Sequence, residues 1–272
     1  MKNITKSIYS SIFLVSICTF TTFANNESNI NKSHTYSLKY VHENQANINE
    51  IFNIQTKEIN EDSEFFKADI KYPYLKVKQQ CLYKQNTHNR EIEIINKTIS
   101  DDILKFKEEI KVYSKSYKDE YEKNPNKDEY TKYKYEAYTN YEIKYNKNNI
   151  ISIPVVYYQF TGGAHGMSEL KTYNYDLVKG KEIQLKDLFK EDCRYKDIIN
   201  KEIQDNIEKN QQDYFKGYDG FKGISENQKF YIEENGIVVY FGQYEIAPYS
   251  TGIPEFKIPW DKISDCLKKP LN

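Results

Sequence analysis

The clearest periodicity in the chain lies between residues 92 and 121. Ile92, Ile95, Ile99, Ile103, Phe106, Ile110, Tyr113, Tyr117 and Tyr121 recur at steps of three or four, the spacing that places side chains on one helix face. Glu, Lys and Asp fill the positions between them. The stripe predicts one long amphipathic helix packed into a core and stopped by Asn124-Pro125-Asn126. The period then changes. Tyr133, Tyr135, Ala137, Tyr141, Ile143 and Tyr145 fall on odd positions, while Lys132, Lys134, Glu136, Asn140, Glu142 and Lys144 fall on even ones. That alternation predicts a half-buried strand with one wet face. A polar turn at 146–149 and an apolar run at 150–160 predict its antiparallel hairpin partner.

Shorter signals complete the layout. Residues 34–42 and 64–74 mix aromatic, β-branched and charged positions and read as strands, with Pro73 marking an edge or a strand end. A strand over 170–178 and a turn over 178–181 follow the hairpin. A second helix is expected over 195–215, with Ile199, Ile203 and Ile207 on one face. Residues 216–223 are glycine-rich and read as flexible. A hairpin turns about Glu234-Asn235, a Pro/Gly/Ser loop covers 243–252, and an apolar segment at 256–260 precedes a short helix near 263–267. Strands, long helix, strands, helix, strands is an α+β order, with mainly antiparallel sheet packed against two amphipathic helices. A boundary near 124–128 divides residues 35–124, a strand-helix half, from a C-terminal half at 125–272.

The first residues carry a different message. Lys2 and Lys6 precede an uncharged stretch at 7–20, and the small residue Ala24 precedes a polar segment. This is the secretory pattern, so residues 1–24 are expected to be a cleaved signal peptide and 25–34 a flexible N-terminus. The apolar run is shorter than the roughly 20 residues of a membrane span, although an uncleaved anchor is the competing reading. Cys18 invites lipidation, but that processing wants a small residue before the cysteine and Ile17 stands there. No later segment is long and apolar enough to span a bilayer. The chain is therefore expected to be secreted or otherwise extracytoplasmic, at the cell envelope. Its formal net charge of −1, two units more negative without Lys2 and Lys6, gives no basic excess for nucleic-acid binding.

Candidate chemistry is sparse. Cys81, Cys193 and Cys266 remain after the leader, so at most one internal disulfide forms. Cys193–Cys266 is the favoured pair because both lie in the C-terminal half; three unpaired thiols is the alternative. The histidines, His34, His42, His88 and His165, form no HxH or HExxH pattern, so neither metal nor cofactor is expected. The loop Gly162-Gly163-Ala164-His165-Gly166 stands out, because clustered glycines permit positive φ and close backbone approach. It is either a recognition loop on a rigid sheet or a glycine bulge between two strands. The loop at 243–252 offers Tyr244, Glu245, Tyr249 and Ser250. Beside His165 these groups would form an acid–base set; alone they are an ordered turn around Pro248. The 26 tyrosines and 14 phenylalanines add modest weight to a binding surface, since AT-rich coding also enriches tyrosine.

Residues 157–166 (YYQFTGGAHG), Asp187-Leu188-Phe189 before a helix, and 230–254 (FYIEENGIVVYFGQYEIAPYSTGIP) resemble an extracytoplasmic domain pair of unknown function, the PdaC/RsiV-like group. The motifs match in order over 157–260 and more loosely over 35–124. That group includes ectodomains of lysozyme-sensing anti-sigma factors and amino-terminal modules of cell-wall deacetylases. The resemblance implies an α+β envelope module that binds a lysozyme-like protein or peptidoglycan. It assigns no catalytic residue to either loop. Three functions are thus in play: a secreted binding domain without enzymatic activity, a cell-wall glycan hydrolase or deacetylase-type enzyme using His165 with Glu245 or Tyr249, and a structural envelope protein.

Overall fold

In the computed structural model, which describes residues 38–39, 52–77, 89–129, 131–177 and 179–271, the stripe over 92–121 forms helix α1 (Asn89–Lys123). The expectations placed on 1–34, on Cys18, Cys81, His34, His42 and His88, and on Val178 lie outside the described residues. Ile92, Ile95, Ile99, Ile103 and Ile110 are buried along α1. One turn later the stripe departs from expectation: Tyr113 is 56% exposed and Ser114 is 3% exposed. The step of four from Ile110 to Ser114 stays on the core side, and the Ser114 hydroxyl donates to the Phe65 carbonyl at 2.7 Å.

The helix lies on an eight-stranded sheet. Its strands are β1 (Leu38–Lys39), β2 (Phe52–Asp62), β3 (Phe66–Val77), β4 (Tyr135–Tyr141), β5 (Tyr145–Lys147), β6 (Ile150–Phe160), β7 (Met167–Asp176) and β8 (Lys181–Glu182). The order is β1-β2-β3-β4-β6-β7-β8, with β5 also on β6. All pairs are antiparallel except β3–β4, which α1 connects as a crossover. Residues before and after 124–128 therefore share one sheet. Even-numbered β3 residues (Ala68, Ile70, Tyr72) and odd-numbered β6 residues (Ile151, Ile153, Val155, Tyr157) meet the isoleucines of α1 in one core.

The single strand expected over 133–145 is split in two. Tyr141 pairs with Val155 but Tyr145 pairs with Ser152, so three residues, Glu142 to Lys144, oppose two. This is a β-bulge. Its cause is Pro154, which accepts from the Glu142 N–H at 3.1 Å but has no N–H to return. The bulge turns Ile143 outward, 44% exposed, against the expected inward position. The hairpin then closes through Asn148 and Asn149, at φ 54° and 60°, the geometry of a type I′ turn.

A second sheet contains β9 (Phe230–Glu233), β10 (Gly236–Tyr240) and β11 (Glu255–Pro259), antiparallel in the order β11-β10-β9. Helices α2 (Tyr195–Lys209) and α3 (Trp260–Ile263) cover one face, where Ile199, Ile203, Ile237, Val239, Phe256 and Trp260 form a second core. Helix α2 ends earlier than expected, because Ile207 is the last apolar position of its stripe and Asn210 closes it with an N–H bond to the Ile207 carbonyl at 3.0 Å. The other face packs on the large sheet through Leu170, Tyr231, Val238 and Tyr240.

Polar side chains complete that junction. Strand β9 is an edge strand, and its outward backbone groups need partners. The Ile232 N–H donates to Ser152 Oγ at 2.9 Å. The Phe230 carbonyl accepts from Asn174 Nδ2 and Thr172 Oγ1, both at 2.8 Å. Ser152 Oγ in turn donates to Asn174 Oδ1 at 2.6 Å. The face of the large sheet thus caps the edge of the small one, and all described residues fall in one compact unit.

Candidate functional site

Two loops meet at one end of this junction. Residues 161–166 join β6 to β7 in the large sheet, and residues 241–254 join β10 to β11 in the small one. Gly162 and Gly163 adopt φ of 93° and 90°, a region costly for residues with a Cβ. Gly166 serves a different purpose: a Cβ there would lie 2.5 Å from the Gln159 carbonyl oxygen and from the Tyr158 ring. The chain turns tightly over Tyr158, and His165 is carried to the exposed surface.

The second loop is pinned by its own turn. Gly242 N–H donates to Glu245 Oε2 at 2.7 Å, and Glu245 N–H donates to the Gly242 carbonyl at 3.1 Å. Between them Tyr244 is held at φ 63° with its side chain 49% exposed. A bulky residue in this region carries strain of about 1–3 kcal/mol and marks a constrained position. Tyr249 and Ser250 follow in a short 3₁₀ turn, Tyr249–Thr251, anchored by Thr251 Oγ1 donating to the Asp213 carbonyl at 2.8 Å.

The loops interlock. The His165 and Tyr249 rings stack with centroids 3.9 Å apart and planes at 22°. The Tyr249 hydroxyl donates to the Gly166 carbonyl at 2.9 Å, and His165 Nδ1 lies 3.1 Å from the same oxygen. The carbonyl can only accept, so a hydrogen bond there has Nδ1–H as its donor. Ser168 N–H donates to Gln243 Oε1 at 2.7 Å. Tyr244 sits 5.8 Å from Tyr249, ring to ring. His165, Tyr244 and Tyr249 form an aromatic cluster, with Tyr158 lying beneath Gly166. Burial, then the nearby Glu136 and Tyr249, lifts the Tyr158 phenol above its ordinary value, so it stays protonated at neutral pH.

The structure brings His165, Tyr244 and Tyr249 together, while Gly162 and Gly163 shape the first loop, Glu245 closes the turn of the second, and Ser250 lies exposed beside Tyr249 in the chain. It does not join His165 to Glu245 by a hydrogen bond. The Glu245 carboxylate serves Gly242 and the Tyr249 hydroxyl serves Gly166, so His165 meets Tyr249 face to face. Sequence reasoning passed over Gln243 and Tyr158, which tie and support the loops; each sits inside a motif already noticed, but nothing in its residue type announced the role. Elsewhere, Cys193 and Cys266 are disulfide-bonded with Cα atoms 5.5 Å apart. Among the described residues no group of His, Cys, Asp or Glu is arranged to hold a metal ion, and no helix is long and apolar enough to cross a membrane.

Fold and loops define a class: an α+β protein of two packed sheets, with interlocked aromatic loops contributed by each sheet. Residues 59–168 match the family described as "Deacetylase PdaC", and residues 186–261 match "Protein of unknown function (DUF3298)". The two matched segments follow one another in the order expected of the PdaC/RsiV-like group, which the chain resembles. It is 30% identical over 145 residues to the peptidoglycan-N-acetylmuramic acid deacetylase PdaC of Bacillus subtilis, covering 52% of this chain and 31% of that protein. It is 36% identical over 94 residues to the anti-sigma-V factor RsiV of the same organism, covering 31% of this chain and 33% of that protein. The matches thus span about a third of each of these relatives. A crystal structure of a DUF3298-family member from Bacteroides fragilis shares the fold, with a TM-score of 0.61 at 22% identity, over 81% of this chain and 96% of that one.

Proposed function

We propose that the chain is an extracytoplasmic, cell-envelope binding module without catalytic residues, whose interlocked loops contact a lysozyme-like protein or peptidoglycan. The observation that carries this reading is the His165–Tyr249 stack, braced through Gly166 and flanked by the strained, exposed Tyr244. Rigid aromatic side chains on pinned loops supply contact area at low entropy cost. Two relatives support the compartment and the choice of partners: one is named for an activity on peptidoglycan and the other as an anti-sigma factor. The hydrogen bonds of Glu245 and Tyr249 serve loop structure, which favours binding over proton transfer.

The test is retention of the mature chain on immobilised lysozyme and on purified peptidoglycan. Wild type should be retained by one of them, with His165→Ala and Tyr249→Ala each weakening retention about tenfold, as truncation at the centre of a contact does. Failure of wild type on both supports would overturn the proposal, as would unchanged retention of both variants.

A further inference from the structure

A groove of about 560 Å³ lies away from the loops, between α1, β7 and the segment leading into β9. Its floor is the outer edge of β7. Strand β8 pairs only with Tyr175 and Asp176, so among the described residues no strand continues the sheet beside residues 168–174. The direction of the edge is fixed at both ends. Ser168 N–H points outward to Gln243, and the Asn174 carbonyl points outward to the Ile183 N–H at 2.7 Å. Even-numbered residues therefore turn their backbone outward, and Leu170 and Thr172 present N–H and C=O groups to the groove.

We propose that this groove binds an extended peptide segment of a partner protein by strand addition to β7. The site is separate from the loop surface and does not depend on its assignment. An added strand sends alternate side chains to opposite sides, and the groove offers an apolar seat on each. On one side Phe106 of α1 packs edge-to-face on Tyr157 with centroids 5.1 Å apart. On the other lie Leu170 and Tyr240. Lys229 reaches across the edge to Glu169 at 3.2 Å. This pair is half exposed and weak, and an edge lysine discourages indiscriminate strand pairing. A partner with its own cation can take over Glu169. Glu182, at the β8 end, forms no ion pair among the described residues. The occupant is thus an apolar extended segment flanked by lysine or arginine.

The probe is a fluorescein-labelled Lys-Val-Thr-Val-Phe-Lys amide, titrated into the full chain by fluorescence anisotropy. Two N-methylated versions accompany it, each blocking one alternate set of amides. The expected result is saturable binding that one N-methylated version weakens at least about tenfold while the other leaves it nearly unchanged, because only one edge of the peptide meets β7. Amide exchange at Leu170 and Thr172 should slow with the peptide bound. Glu182→Lys, a surface change, should weaken binding, and Tyr249→Ala should not. Absence of saturable binding, equal response to both N-methylated versions, unprotected Leu170 and Thr172 amides, or loss of binding in Tyr249→Ala would each overturn the proposal.

Discussion

Ser152→Ala should destabilise the protein by about 2–6 kcal/mol, although it removes one oxygen atom. Ser152 is fully buried and Asn174 is 3% exposed. The serine hydroxyl accepts from the Ile232 N–H and donates to Asn174 Oδ1. Its loss leaves a donor and an acceptor without partners in a site closed to water, at about 1–3 kcal/mol each. The Phe230 carbonyl is spared, because Thr172 and Asn174 still donate to it. Urea unfolding of the oxidised protein gives the measurement. The single tryptophan, Trp260, sits in the core of the small sheet, so its fluorescence follows that sheet, while far-UV circular dichroism is dominated by α1. Ser152→Ala should lower both midpoints. If the sheet junction is the weak seam, the fluorescence midpoint falls further. Asn174→Ala and the double variant complete a cycle, in which the double variant costs less than the sum of the single ones. A loss below about 0.5 kcal/mol would refute the reasoning that this network is dry and holds the two sheets together.

Three further outcomes are expected. Burial alone would raise the Glu61 carboxyl, but its hydrogen bonds and charge contacts with Lys107 and Lys111 prevail and hold it below its ordinary value of 4.5; its stabilising contribution is complete above that value and is lost as pH falls through the lower folded one, so Glu61→Gln should flatten the stability–pH curve below about pH 5 in thermal melts. Cys193→Ser opens a loop of 73 residues and should cost about 4 kcal/mol on the chain-entropy estimate, read as a fall in melting temperature of roughly 10 °C under non-reducing conditions; a shift under 2 °C, given about 2–4 °C per kcal/mol at this size, would show that the bond constrains little. Gly166→Ala forces a Cβ against the Gln159 carbonyl and the Tyr158 ring, both at 2.5 Å, so it should cost about 1–3 kcal/mol and shift the His165 and Tyr249 ring resonances, whereas unchanged spectra would mean that the loop yields freely.

The sequence made the helices and several of the strands legible because burial imposes a period, and a period survives in one chain, whereas the parallel pairing of β3 with β4 left no such mark. The α1 stripe, the 150–160 strand and the hairpin at Glu234-Asn235 all follow from that period. What escaped were events of one residue. A proline without an N–H produced the bulge that turned Ile143 outward. A serine hydroxyl facing a carbonyl took the core position expected of Tyr113. The loops drew notice through glycine and proline, which mark unusual backbone. Their interlocking did not, since the residues joining them, Ser168 and Gln243, lie 75 positions apart and neither has a pattern of its own. The junction of the sheets was hidden for the same reason: Ser152, Thr172 and Asn174 look like polar interruptions of strands until β9 is set against them.

That junction bears on how the loop surface is made. The loop at 162–166 falls inside the segment matching the PdaC family, and the loop at 244–252 falls inside the segment matching DUF3298. Neither matched segment holds both halves of the aromatic cluster. The first ends at residue 168, the second residue of β7, and the second begins beyond β8. The rest of β7, which lies between them, supplies Thr172 and Asn174 to the sheet junction and also forms the free edge of the groove. The part of β7 outside both matched segments, residues 169–176, therefore sets the spacing between the two loops. The register of β7 on β6 fixes where Gly166 falls, and its contacts with β9 fix where Tyr249 can reach it. The ring stack of His165 on Tyr249 is in this sense linked to sheet packing: the edge of the small sheet is seated on Ser152, Thr172 and Asn174, and the two loops that extend from the same sheets lie within bonding distance.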